Sequence, residues 1–113
     1  MITPIDPAAV ESELLALYGA WYTVIDALAG KFGPGVRTEN YLVRRIDDNR
    51  AIPTAHRSIT WIVLDVFRRS DFEMAYLRKT GEYNSFDGQT WDGPITEVQP
   101  KQVEQTTWVT VDA

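Results

Sequence analysis

The chain has 113 residues, 44% of them hydrophobic and 24% charged, with no cysteine, one histidine and a formal net charge of −5. That length suits one domain spanning 1–113 with its own core, and the apolar content argues against wholesale disorder. The absence of cysteine excludes disulfides, thiolate zinc sites, iron–sulfur clusters and a cysteine nucleophile, and apolar runs too short for a transmembrane helix, with no signal peptide before the first helix, set the expectation of a soluble, cytoplasm-compatible protein.

Asp6 suits a helix N-cap and Pro7 the first helical position. Apolar residues then recur at Val10, Leu14, Leu17, Trp21, Val24 and Leu28, with Leu15, Tyr18, Tyr22 and Ile25 widening the stripe. The spacing predicts one amphipathic helix of about six turns. It ends near Ala29, with Gly30 as its left-handed cap. Gly19 stands in the middle, where it costs up to about 1 kcal/mol against alanine. Close approach of a strand or second helix would account for it. Gly33-Pro34-Gly35 forces a loop.

From Val36 to Ile46 the pattern alternates, with Val36, Thr38, Asn40, Leu42 and Ile46 on one side and Arg37, Glu39, Tyr41 and Arg45 on the other. This predicts a half-exposed strand with a charged outer face. Residues 47–55, with Asp47-Asp48-Asn49-Arg50 and Pro53, read as a loop. Arg57 to Phe67 is the strongest strand signal: Ile59, Trp61, Val63 and Phe67 share one face, Ile62, Leu64 and Val66 the other. A strand apolar on both faces belongs at the centre of a sheet. A helix can cover one face, and a partner subunit the other.

Ser70-Asp71-Phe72-Glu73 fits a capping box and predicts a short helix from Met74 to Thr80, closed by Gly81, with a strand through the same residues as the alternative. Asp87-Gly88, between Ser85 and Trp91, signals a hairpin, and Asp92-Gly93-Pro94 a further turn. Val103 to Val111 alternates and reads as the last strand. Together these elements predict an α+β domain: a long N-terminal helix packed on a mixed or antiparallel sheet of about four to five strands, with a short second helix.

Charge is uneven. Nine of the 11 basic residues fall between Arg37 and Lys79, a span of net +3, while the rest of the chain carries −8. The plain reading is solvated strand and loop faces. The sharper one is a basic surface and an acidic surface that would steer head-to-tail contacts in a stack or ring. The overall acidity argues against nucleic acid as a partner.

Catalytic sets are sparse. His56 is the sole histidine, beside Arg57, whose charge would disfavour its protonated form; no G-x-S-x-G surrounds any serine. Asp65 interrupts an apolar strand face, so it must pair, reach the rim or have a raised pKa. A raised pKa would suit a general base; the plainer expectation is an ion pair with Arg68 or Arg45. Asp47-Asp48-Asn49 lacks the alternate spacing and closing glutamate of a calcium loop, and no phosphate-cradling glycine motif occurs, so neither metal nor cofactor is expected. Trp21 and Trp61 fall on core stripes. Trp91 and Trp108, with Phe86, are interface candidates beside Tyr76 and Tyr83, as are Arg44, Arg45, Arg68 and Arg69 on the basic span. The aromatics also suit a small-molecule pocket or peripheral core packing.

The order of elements, carried by Tyr41-Leu42-Val43-Arg44-Arg45 and by the run from Ile59 through Asp65 to Phe67, resembles small tail-terminator and tail-completion proteins of tailed bacteriophages. The resemblance implies helices on one face of a mixed sheet, assembly into rings and a non-enzymatic virion part at the head–tail junction or tail terminus. Its partners would be further copies of the chain and other structural proteins, with no membrane. An alternative starts from the Leu14, Tyr18, Trp21, Ile25 stripe, which is similar to the opening helix of ketosteroid-isomerase-type α+β cones. That resemblance implies a pocket for an apolar small molecule, with Asp65 as base and Tyr41 or Tyr76 as hydrogen-bond donors.

Overall fold

The computed structural model describes residues 3–28, 30–49 and 57–101, with Trp108 and Val111. His56, Arg50 and most of the segment from Val103 to Val111 lie outside the described residues, and with them the expected last strand.

The Asp6 side chain accepts the Ala8 N–H at 3.0 Å and opens α1, Pro7–Tyr18. The predicted long helix is not formed. Gly19, at φ +81°, donates its N–H to the Leu15 carbonyl and ends α1; Thr23 and Val24 then bond back to Ala20 and start α2, Trp21–Leu28. A Cβ built on Gly19 would meet nothing within 4 Å, so its backbone conformation, and not crowding, selects glycine there. Val10, Leu14, Trp21, Val24, Ile25 and Leu28 are buried as the stripe predicts, but Leu17, just before the break, is 58% exposed.

Among the described residues six strands form one antiparallel sheet: β1 (Val36–Arg37), β2 (Tyr41–Asp48), β3 (Arg57–Arg68), β4 (Met74–Asn84), β5 (Gly88–Thr90) and β6 (Ile95–Val98). They pair in the order β1-β2-β3-β4, and β5 and β6 follow one another along the free edge of β4. The single strand expected from Val36 to Ile46 is a hairpin, turned at Thr38–Asn40, where the Glu13 carboxylate accepts both the backbone and side-chain N–H of Asn40. Asp47 and Asp48, expected in a loop, complete β2 past a bulge between Arg45 and Asp47.

The short helix at Met74–Thr80 is also corrected. Those residues belong to β4, paired with β3 along its length from Phe67↔Met74 to Arg57↔Asn84. The acidic turn that resembled a capping box is the β3–β4 hairpin, with the Asp71 carboxylate accepting the Glu73 N–H. Gly81 therefore ends no helix; a side chain there would strike the Thr90 backbone and the Trp91 ring. The Asp87-Gly88 hairpin is present, and its first arm is the end of β4.

Both helices pack on one face of the sheet. Tyr41, Val43, Ile62, Leu64, Val66, Ala75 and Leu77 are buried there with Val10, Leu14, Trp21, Val24 and Leu28. A polar clasp crosses this core: Glu11 accepts the Trp21 indole N–H at 3.0 Å and the Lys79 ammonium at 3.1 Å, and Lys79 also donates to the Gly93 carbonyl at 2.6 Å. The Lys79 ammonium lies 5.0 Å from the Trp21 ring centroid. No helix among the described residues is long and apolar enough to cross a membrane.

Candidate functional site

Strand alternation leaves a second face that neither helix occupies. The cross-strand register sets Leu42, Phe67 and Met74 in one row, Arg44, Asp65, Tyr76 and Val98 in the next, and Asp47, Val63, Arg78 and Thr96 in a third. Trp61 and Ile59 extend it, the latter 64% exposed. Most of these side chains are apolar.

Asp65 sits in the middle of that face, 4% exposed. Its partner is Arg44, directly opposite on β2, and not Arg68 or Arg45. Arg44 donates to one carboxylate oxygen, Oδ2, from Nη2 at 2.6 Å and Nε at 3.2 Å. Hydrogen bonding to Asp65 raises the Arg44 pKa further above its ordinary value. The other carboxylate oxygen, Oδ1, is buried and accepts no hydrogen bond within the described residues. The Arg44 guanidinium lies 5.8 Å from the centroid of Phe32, itself 67% exposed.

Two hollows flank this ion pair. One, of about 380 Å³, is lined by Ile46, Trp61, Val63, Tyr76 and Val98 with Asp47 and Arg78. The other, of about 350 Å³, is lined by Leu42, Phe67 and Phe72 with Arg37, Arg68 and Arg69. Arg68 and Asp71 bond at 2.8 Å, which raises the pKa of the guanidinium and lowers that of the carboxyl. Arg69 donates to the Thr38 and Glu39 carbonyls.

The candidate residues separate by face. Asp65 and Tyr76 are cross-strand neighbours on the open side. Tyr41 is on the helix-covered side, 7% exposed, where burial above all, and then the Glu13 charge, raises its pKa. Asp65, Tyr41 and Tyr76 therefore do not form one constellation. Arg45 is also buried on the covered side and bonds Asp48 at 2.7 Å. Trp91 is a core residue, 7% exposed, whereas Phe86 and Trp108 are 92% and 93% exposed. Among the described residues no group of three His, Cys, Asp or Glu could hold a metal.

Sequence reasoning missed Arg44 as the partner of Asp65 because the choice among neighbouring arginines depends on register. It also missed Phe72, 82% exposed at φ +61°. The signal was present: an aromatic in a tight acidic turn. No family model matches the chain, and no curated protein or solved structure is detectably similar to it.

Proposed function

We propose that this protein is a non-enzymatic assembly module that self-associates, in the role its resemblance implies: a bacteriophage virion component at the head–tail junction or tail terminus. The observation that carries the reading is the apolar sheet face, from Ile59 and Trp61 through Val63 to Phe67 and Leu42, that neither described helix occupies. Ile59 and Leu42 are exposed and Trp61, Val63 and Phe67 half-buried, and a contiguous apolar surface of this kind suits protein–protein contact. The buried carboxylate on that face, Asp65, is held by Arg44 and separated from Tyr41 by the thickness of the sheet, which suits an ion pair within an interface better than a general base.

Light scattering behind size exclusion, at low and high salt, tests this. The expected result is a mass of several copies that falls for Ile59→Glu, a substitution at an exposed position that leaves the fold intact. A monomer at every concentration and both salt levels would sink the reading.

A further inference from the structure

We propose that copies of this chain join head to tail, with Phe86 at the β4–β5 hairpin tip of one copy seated in the arginine-lined groove at the β3–β4 end of the next. The proposal rests on the assembly reading above and specifies its contact. The groove is lined by Leu42, Phe67 and Phe72 and by three guanidinium groups, Arg37, Arg68 and Arg69, with no carboxylate. Glu39, Asp71 and Glu73 lie on the adjoining turns, and Asp71 is engaged by Arg68. The opposite end of β4 has a net charge of the complementary sign: Glu82, Asp87 and Asp92 lie there, with Arg57 across from Asn84. An acidic knob and a basic socket on one chain make a second copy the fitting occupant.

Local structure at each end favours contact over isolation. Phe86 is 92% exposed, and its turn is fixed by the Asn84 side-chain oxygen Oδ1, which accepts the Phe86 and Asp87 N–H groups at 2.9 and 2.6 Å. The knob is thus ordered before it binds. Phe72 is held at φ +61° and 82% exposed, a backbone strain and an apolar exposure at the same residue. A free monomer gains nothing from either; a socket wall does.

β4 has 11 residues, so knob and socket are separated by about 35 Å along the sheet. They cannot satisfy each other within one molecule, and a two-fold pair would have to close both contacts at once across that span. A single head-to-tail contact leaves one knob and one socket open, which propagates into a ring or a filament.

Two variants and their mixture test the contact. Phe86→Ser removes the knob, and Phe72→Gly opens the socket wall; both positions are exposed, and circular dichroism checks the fold. Each variant alone should self-associate about tenfold more weakly or worse. Phe72→Gly should at the same time raise the melting temperature by relieving the backbone, a pair of opposite changes that a purely structural Phe72 would not produce. Mixed in equal amounts, the two variants should form dimers and nothing larger, because one intact socket meets one intact knob. If the native chain associates and both variants associate as tightly, the head-to-tail contact is overturned while self-association stands. A native chain that stays monomeric overturns both.

Discussion

The two faces of the sheet are built from the same strands, often from adjacent residues, yet they bury charge in different ways. On the helix-covered face Leu64, Ile62 and Leu77 are fully buried, and of the two buried cations there Arg45 bonds Asp48 while Lys79 has partners from α1 and from the turn at Gly93. On the open face Val63, Trp61 and Phe67 are half-buried, and Asp65 depends on a single arginine that reaches solvent. The covered side is tied by contacts between elements remote in sequence. The open side is tied mainly by cross-strand neighbours, with Phe32 and Lys31 reaching Arg44 and Asp47 from the preceding loop, so most of its stability comes from the sheet.

The largest effect that would break this contrast is a core truncation. Leu64→Ala should cost about 3 kcal/mol in denaturant unfolding, since the site is closed on every side. Val63→Ala, one residue along on the open face, should cost about 1 kcal/mol or less. Equal losses would mean that the open face is as tightly covered as the other.

Next in size is the clasp. Glu11→Ala strands the Lys79 ammonium, whose side chain is 5% exposed, with the Gly93 carbonyl and the Trp21 ring. A loss of about 2 kcal/mol is expected, and Lys79→Met, which removes the buried charge along with its need for a partner, should recover part of it. If the double variant is no better than Glu11→Ala, the clasp is not what holds the helices to β4.

That clasp also explains what the sequence could and could not declare. The apolar alternation of β3 was legible because Ile62, Leu64 and Val66 carry it unaided. β4 was not, because its covered face reads Ala75, Leu77, Lys79, Gly81, and two of those four look polar or helix-ending until their partners are known. A local Ser-x-x-Glu signal then outweighed a strand whose stabilisation comes from pairing with β3. The split helix was hidden for the opposite reason: both halves face one core, so the spacing stays in phase across Gly19, and only the exposure of Leu17 marks the break. At the open face, Asp65 was legible as a misfit in an apolar row. Its partner was not, since Arg44 and Arg45 differ by one residue and therefore by a face.

The ion pair gives a directional test of the open face. Arg44→Ala leaves a buried carboxylate without a partner, whereas Asp65→Leu leaves an arginine whose side chain is 43% exposed and free to hydrate. The first change should therefore lower the unfolding midpoint more than the second, and Asp65→Leu should keep self-association. The reverse order would place Arg44, and not Asp65, in the dry position.

The smallest expected effects are in the pH dependence of the covered face, and they act at opposite ends of the scale. At Glu13, burial raises the pKa, but hydrogen bonds from the Asn40 side chain and backbone and from Thr38 outweigh it, so the folded value lies below the ordinary 4.5. A depressed carboxylate stabilises the fold above its unfolded pKa, and that contribution fades as pH falls through the folded value. Tyr41, next to Asn40 on the β1–β2 hairpin, is shifted upward from 10.0, by burial first and the Glu13 charge second. Its contribution is complete below the unfolded pKa and is lost as pH rises through the folded one. Urea unfolding as a function of pH should accordingly show an acid limb below about 4.5 that flattens in Glu13→Gln, and an alkaline limb above about 10 that flattens in Tyr41→Phe. Because the Glu13 charge contributes to the Tyr41 shift, Glu13→Gln should also weaken the alkaline limb slightly, and an alkaline limb untouched by that change would show that burial alone sets the tyrosine.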